Sequence, residues 1–192
     1  MRVFFAFGPE SACALRIADW RERHAACDGR AVPAANFHLT LAFVGELEAR
    51  AVDELCAAVD RCAPAWSANQ LTLDRVGYWP RPGIYWLGPA NWPEELDALA
   101  ATLRQLAVTA GARRDRKRFT PHVTLYRNCR QPPAAPQRQP HIDFSCDTLS
   151  LYESRRGRRG VSYHPLCDWL PTVAPAHTTV TLADGNGDTR TR

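Results

Sequence analysis

The 192-residue sequence lacks the features that mark several common protein classes. It has no Gly-x-x-x-x-Gly-Lys and no Gly-x-Gly-x-x-Gly, so neither a nucleotide P-loop nor a dinucleotide-binding turn is predicted. No apolar run reaches the roughly 18 residues that a membrane span requires. The apolar N-terminus is interrupted by Glu10, too early for a secretory signal. We therefore predict a cytoplasmic protein that does not associate with membranes.

Cysteine usage gives no sign of a disulfide framework or a metal site. Seven cysteines are an odd number, and no Cys-x-x-Cys motif occurs. Without a secretion signal, we expect reduced thiols rather than disulfides. The nearest approach to a metal-ligand spacing is His164-x-x-Cys167, which has no matching second pair. No metal and no cofactor is therefore predicted.

Lysine is almost absent, since Lys117 is the only one among 24 basic residues. Arginine binds phosphate through two parallel hydrogen bonds, which lysine cannot do. The net charge of +4 is mild, however, and composition alone does not establish a phosphate-bearing partner. Two arginine-rich runs, at residues 113–118 and 154–159, are candidates for contact with a phosphate-bearing partner, although each also fits a solvated loop.

The most informative feature is a His-x-Thr motif that occurs twice, 84 residues apart. Alternation of apolar residues predicts a strand at both places, and side chains two apart on a strand share a face. His38 and Thr40 should therefore face one way with Ala42, and His122 and Thr124 should face one way with Tyr126. The opposite, apolar faces are Leu39, Leu41 and Phe43 in the first strand, and Val123 and Leu125 in the second. The repetition favours two halves of similar design that share a cleft.

Turn signals and periodicity predict an α+β fold with mostly antiparallel sheets and helices outside. The predicted strands are 2–7, 37–44, 70–79, 84–87, 121–127, 141–153 and 160–167, and the predicted helices are 10–26, 48–62 and 91–110. Asn91 is the expected cap of the third helix. Residues 1–170 should form a single two-lobed domain, and residues 171–192, which are polar and aperiodic, a disordered tail.

Two facing imidazoles suit in-line displacement at phosphorus, because one can accept a proton while the other donates one. A hydroxyl two residues away on the same face can donate to a phosphate oxygen as charge builds up. This chemistry requires no metal. It predicts a bell-shaped dependence of rate on pH. A lone His-x-Thr would more often be a structural histidine beside a strand threonine, so the second copy carries the prediction.

These motifs resemble the 2H phosphoesterase superfamily, and most closely the bacterial and archaeal RNA 2′,3′-cyclic phosphodiesterases, also called 2′–5′ RNA ligase-like proteins. The resemblance covers residues 1–170 and is carried by residues 3–6, 36–45, 121–127 and 151–154. It implies a pseudo-two-fold, bilobal fold with a central cleft. It also implies hydrolysis of RNA 2′,3′-cyclic phosphate ends to 2′-phosphates.

The resemblance also implies roles for individual residues. His38 would be the proton donor and His122 the proton acceptor, while Thr40 and Thr124 would hold the phosphate. Arg127 falls where family members carry a phosphate-contacting arginine, but strict alternation places it on the opposite face from His122, so its role requires a bulge or a strand end.

Two further residues are candidates for RNA contact. Phe119 could stack on a base, although it also fits a core position. Arg118 belongs to the basic run that leads into the second motif.

Two other functions remain open from the residues alone. The first is reversible 2′–5′ RNA ligation, since the same groups serve both directions. The second is a non-catalytic module that binds RNA ends. In each case the expected partner is an RNA with a 2′,3′-cyclic phosphate end, with tRNA fragments as one source, and the expected state is a monomer.

Overall fold

The computed structural model describes residues 1–67, 70–114, 117–158 and 160–171. Apart from Pro171, the predicted tail lies outside the described residues, as do residues 115–116 and Arg159 of the two basic runs. Within the described ranges, no helix has the length and apolar character needed to cross a membrane.

An antiparallel sheet of eight strands dominates the fold, and the strands that follow the two histidines are neighbours in its centre. Its order is β10-β9-β1-β3-β7-β6-β5, with β2 pairing on β7, while β4 and β8 form a separate two-stranded sheet. The predicted α+β class is confirmed. The strands are β1 (Arg2–Phe7), β2 (Arg30–Ala31), β3 (Leu39–Glu46), β4 (Gln70–Leu73), β5 (Arg75–Trp79), β6 (Ile84–Gly88), β7 (Val123–Arg127), β8 (Ile142–Ser145), β9 (Leu149–Gly157) and β10 (Gly160–Trp169).

Three helices lie near the predicted positions: α1 (Ser11–His24), α2 (Ala49–Cys62) and α3 (Glu94–Thr109). The predicted cap at Asn91 is wrong, because Pro93 immediately precedes the helix and acidic residues fill its first turn. In α1 not every apolar residue faces the core. Leu15 is 65% exposed and Arg21 is buried, because Arg21 and not Leu15 falls on the helical stripe of Ile17.

Two predicted strands are each divided between the two sheets. The strand predicted at 70–79 breaks into β4 and β5, and the one predicted at 141–153 breaks into β8 and β9. In both cases the first segment joins the small sheet and the second joins the main one. Continuous alternation in the sequence does not reveal this change of partner.

A disulfide joins Cys56 of α2 to Cys167 of β10. The expectation of reduced thiols is therefore wrong for this pair. His164, which shared the weak metal spacing with Cys167, instead has its Nε2 atom 3.0 Å from the Ser162 hydroxyl. The other five cysteines are free.

The register between β3 and β7 positions the two motifs against each other. Leu39 is paired with Val123, and both side chains are fully buried on the core side. In an antiparallel pair, this register places His38 across from Thr124 and Thr40 across from His122 on the opposite face. The two motifs are thus related by an approximate two-fold axis through the Leu39–Val123 pair.

A one-residue bulge follows the threonine of each motif. Leu41 is left unpaired between Thr40 and Ala42 against β1, and Leu125 is left unpaired between Thr124 and Tyr126 against β6. Each bulge reverses the alternation beyond it.

The predicted facing of Ala42, Phe43 and Tyr126 is therefore wrong. Ala42 is buried in the core, whereas Phe43 is 54% exposed and lies beside Phe4. Tyr126 stacks on the buried Tyr85.

Candidate active site

The two histidine rings are held by equivalent hydrogen bonds. Nδ1 of His38 lies 2.8 Å from the carbonyl oxygen of Asn36, and Nδ1 of His122 lies 2.8 Å from the carbonyl oxygen of Thr120. A carbonyl only accepts, so each Nδ1 carries the hydrogen. The Nε2 atom of each neutral ring is consequently left with a free lone pair. Both rings are partly open to solvent.

Aromatic side chains enclose both imidazoles. The Phe4 and Tyr163 ring centroids lie 4.9 and 4.8 Å from that of His38. Around His122, the Trp79 ring is 4.6 Å away, in an edge-on arrangement. These contacts restrict each ring to one orientation and lower the polarity around it. No local spacing in the sequence predicts these aromatic neighbours.

Trp86 packs behind His122, in space that a glycine on the neighbouring strand leaves open. Its ring centroid is 6.2 Å from that of His122 and 5.3 Å from that of Trp79. Gly77 lies directly opposite on β5, and a Cβ there would overlap the indole. The absence of a side chain at residue 77 thus makes room for the support of His122.

The two threonines are buried and available. Thr40 is 8% exposed and Thr124 is 7% exposed. Neither hydroxyl forms a hydrogen bond with another residue in the described part of the chain, and neither oxygen is among the fully enclosed unpaired polar atoms, so both are open to solvent. Each can therefore donate to a ligand that enters between the strands.

Arg127 lies on the same side of the sheet as the histidines. The bulge at Leu125 brings it back to that face, as the assignment from the resemblance required. It lines a pocket together with His38, and its charge acts on both imidazoles. The arrangement brings His38, Thr40, His122, Thr124 and Arg127 to one region of the sheet.

The pocket beside His38 and Arg127 has a volume of about 520 Å³ and a cationic wall. Arg2, Arg30 and Arg156 contribute to it, and no acidic side chain lines it in the described part of the chain. Phe43 adds an exposed ring. A smaller and mostly apolar pocket of about 420 Å³ lies on the other side of His38.

Comparisons with known proteins identify the family to which the chain belongs. Residues 9–158 match the family model described as the 2'-5' RNA ligase superfamily. The chain belongs to this superfamily. It is 34% identical over 173 residues to the RNA 2',3'-cyclic phosphodiesterase of Escherichia coli K12, covering 89% of this chain and 97% of that protein.

Two further comparisons place the chain within the superfamily. A protein of the same description from Thermotoga maritima is 29% identical over 139 residues, covering 68% of this chain and 73% of that one. The crystal structure of E. coli LigT complexed with 3'-AMP superposes with a TM-score of 0.81 at 34% identity, covering 89% of this chain and 98% of that one. The predicted α+β fold is thus shared with this E. coli structure.

The two residues predicted to contact RNA outside the motifs differ in their exposure. Phe119 of this superfamily member is 7% exposed and belongs to the core, with the Arg104 guanidinium 6.0 Å from its ring centre. Its core interpretation therefore fits better than base stacking. Arg118 is exposed, so contact with RNA stays a prediction.

Both histidines favour the neutral form in the free protein. Burial lowers the pKa of His38 to about 4, with smaller contributions in the same direction from Arg127 and His122, against the opposing effect of the Asn36 carbonyl. Burial also lowers the pKa of His122, again opposed by a carbonyl, that of Thr120, and assisted by Arg127. The protonated partner that acid catalysis needs is therefore a minor species at neutral pH in the absence of a bound anion.

This electrostatic arrangement predicts an acidic optimum for kcat/KM, which reports on the free enzyme. The reactive form carries one proton on the histidine pair, and because both pKa values are lowered, it is most populated below pH 6.5. Above both pKa values, kcat/KM should fall about tenfold per pH unit. Arg127→Gln removes a positive charge that opposes protonation of the two histidines. The alkaline limb of the kcat/KM profile should therefore move to higher pH, and any fall in the maximal kcat/KM is a separate effect of losing the guanidinium.

The profile should be measured on a nucleoside 2′,3′-cyclic phosphate, with histidine NMR titration of the free proteins. Arg130→Gln is the matched control, since Arg130 does not contribute to either histidine pKa shift. An unchanged limb in Arg127→Gln would show that this guanidinium does not act on the pair.

Proposed function

We propose that the protein hydrolyses the 2′,3′-cyclic phosphate at RNA ends to a 2′-phosphate and a free 3′-hydroxyl. The observation that carries the proposal is the pair of imidazoles with free Nε2 atoms, each across the strand pair from the threonine of the other motif. Membership of the 2'-5' RNA ligase superfamily supports it, as does similarity to curated proteins described as RNA 2',3'-cyclic phosphodiesterases.

In the proposed mechanism, the neutral imidazole of His122 takes a proton from water as its oxygen attacks phosphorus. The protonated imidazole of His38 gives its proton to the departing 3′ oxygen. The step leaves His122 protonated and His38 neutral, so exchange with solvent must restore the starting state. Each transfer of this kind contributes about 10² to 10⁴ in rate.

Charge at phosphorus is stabilised by the groups between the two rings. Thr40 and Thr124 donate hydroxyl hydrogens to the non-bridging oxygens, and both have this capacity free. Arg127 supplies a full positive charge from the strand that carries Thr124. Because these groups are fixed and largely shielded from water, they act more strongly than they would in solution.

Substrate binding should also increase the fraction of His38 that carries the proton needed for acid catalysis. A phosphodiester anion between the rings favours the charged imidazole and partly neutralises Arg127. The binding of substrate would therefore raise the proton affinity of His38 just when it must act as an acid.

The cationic pocket offers a path for the RNA strand. Arg2, Arg30 and Arg156 can contact backbone phosphates, which are the main source of salt-dependent affinity for nucleic acids. The exposed ring of Phe43 in the same pocket can stack on an unpaired base. This combination favours a single-stranded RNA end over an isolated nucleotide.

The deciding experiment incubates the native protein with an RNA oligonucleotide that ends in a 2′,3′-cyclic phosphate, in the presence of EDTA. We expect addition of one water and a single 2′-phosphate product, identified by chromatography against synthetic 2′- and 3′-phosphates. A nucleoside 2′,3′-cyclic phosphate should also be hydrolysed, with a smaller response to added KCl because it makes fewer phosphate contacts.

The other outcomes separate the competing functions. Tight binding without turnover would indicate a module that recognises RNA ends. Products joined 2′–5′, formed when a second RNA with a 5′-hydroxyl is added, would indicate that ligation competes with hydrolysis. Loss of activity on addition of EDTA would contradict the metal-independent mechanism.

A further inference from the structure

A pair of thiols lies next to the strand that carries Arg127. Sγ of Cys27 is 2.8 Å from Sγ of Cys129, although the two residues are 102 positions apart. Non-bonded heavy atoms are most favourably placed roughly 3.5 to 4.0 Å apart, so the sulfurs are closer than packing alone would bring them. Cys27 is partly exposed, and Cys129 is buried.

The backbone around both cysteines is fixed independently of the thiols. The amide of Cys129 donates to the carbonyl of Gly83 at 2.9 Å, and the amide of Arg130 donates to both carboxylate oxygens of Asp28 at 3.2 Å. Gly29 lies so close to Cys129 that a Cβ there would be 2.6 Å from its sulfur. The two thiols are thus held in contact by the surrounding chain.

A metal site is the alternative reading of this cluster, since Asp28 offers a carboxylate within 4.8 Å of both sulfurs. Two thiolates bound tetrahedrally to one zinc, each at 2.3 Å, lie roughly 3.8 Å apart. The observed separation of 2.8 Å is well below this value. The Asp28 carboxylate also already accepts the Arg130 amide. The geometry therefore favours a bond between the sulfurs over a shared metal.

We propose that Cys27 and Cys129 form a reversible disulfide by exchange with a low-molecular-weight disulfide such as oxidised glutathione. The thiolate of Cys27, the accessible partner, attacks one glutathione sulfur and releases the other as a thiol. Cys129, as its thiolate, then attacks Cys27 and releases the second glutathione. In total, two protein thiols are oxidised and one glutathione disulfide is reduced to two glutathione thiols.

The cross-link would lie beside two arginines of the cationic pocket and would constrain the strands that carry them. Arg30 of β2 pairs with Arg127 of β7, and both side chains line the cationic pocket. The disulfide would close the strand pair just beyond these two arginines. It would also join the end of α1 to the end of β7 across about half of the chain, which restricts the unfolded state strongly.

Exchange should be slow at neutral pH and faster as pH rises. Burial and the neighbouring thiol raise the pKa of Cys27 to about 12, so only a small fraction is thiolate. Oxidation should therefore be carried out above neutral pH.

The test uses the full chain, reduced and then incubated with oxidised glutathione, followed by peptide mapping under non-reducing conditions. In the native protein we expect a Cys27–Cys129 cross-linked peptide, while the exposed Cys62 retains bound glutathione. In Cys129→Ser, glutathione should remain on Cys27, because the second thiol is missing. The Cys62→Ser variant should form the cross-link as the native protein does.

Thermal unfolding gives a second measurement. After the same oxidation, the Tm of the native protein should exceed that of Cys129→Ser by about 5 °C or more, since the Cys56–Cys167 disulfide re-forms in both. The inference would be overturned by glutathione persisting on Cys27 of the native protein, or by Cys27 remaining unmodified while Cys62 reacts. Zinc that co-purifies and protects both thiols until chelated would replace it with a metal site.

Discussion

Replacing His122 with alanine is expected to lower kcat for the RNA cyclic phosphate by about 10² to 10⁴, the range that one positioned proton-transfer group supplies. His38→Ala should cause a loss of similar size, because the mechanism needs both transfers in one displacement. The double variant should be little worse than the poorer single variant, since residues that act as a unit are strongly non-additive. Single-turnover measurements will keep product release out of these values.

His164→Ala is the matched control for this prediction. His164 lies on β10, is exposed, and interacts with the neighbouring hydroxyl of Ser162. Its removal should leave kcat unchanged. Thermal unfolding of all four variants will separate loss of chemistry from loss of fold. A loss of less than tenfold in either motif variant, with the fold intact, would contradict the acid–base pair.

The assignment of donor and acceptor has its own test. In a nucleoside p-nitrophenyl phosphodiester the leaving group is stable as an anion, so its departure needs little help from an acid. On this substrate, His38→Ala should recover most of its lost rate, whereas His122→Ala should not, because attack by water still needs a base. Recovery in His122→Ala instead would reverse the two roles.

The parts of the candidate site closest to each motif could be predicted from the sequence. His-x-Thr on a strand places the imidazole and the hydroxyl on one face, and the buried Leu39 and Val123 occupy the other as expected. That pattern is local, and it depends only on the two-residue period of a strand. The repetition of the motif predicts a shared cleft, but it does not predict that the two strands pair directly, as Leu39 and Val123 do.

The sequence could not reveal the bulges that follow each motif. A bulge adds one unpaired residue to a strand. The bulge residues Leu41 and Leu125 are apolar, as an ordinary residue of a buried strand would be, so the sequence pattern does not mark them. Strict alternation therefore fails from that point onward. This explains why Phe43 is at the surface and why Arg127 reaches the histidine side after all.

Long-range partners were also beyond the reach of periodicity. Phe4 and Tyr163 meet at His38 from strands at opposite ends of the chain, and no local spacing connects them. The disulfide between Cys56 and Cys167 spans 111 positions and was missed for the same reason. Only the pairing of strands in the sheet determines which of these distant residues become neighbours.

The threonine hydroxyls lead to a prediction in which activity falls while stability is nearly unchanged. Thr124→Val keeps the shape of the side chain and removes a hydroxyl that has no partner among the described residues. Its free energy of unfolding should change by less than about 1 kcal/mol, because the hydroxyl has no protein partner to lose and its oxygen is open to solvent. In contrast, kcat should fall by about 10² to 10³, as it does when a single donor to a developing oxyanion is lost. Thr40→Val should behave in the same way.

Two control variants make this prediction specific. Thr124→Ser keeps a hydroxyl at the same position and should retain most of the activity. Thr72→Val removes a hydroxyl that donates to Asp143 at 3.4 Å on the small sheet, so it should leave kcat unaffected. If Thr124→Val destabilised the fold and kept its kcat, the hydroxyl would have a structural role, and the phosphate would have to be held by Arg127 and the imidazoles alone. Activity and stability separate because a donor that binds a transient charge has no protein partner in the resting state, so its removal costs the fold little.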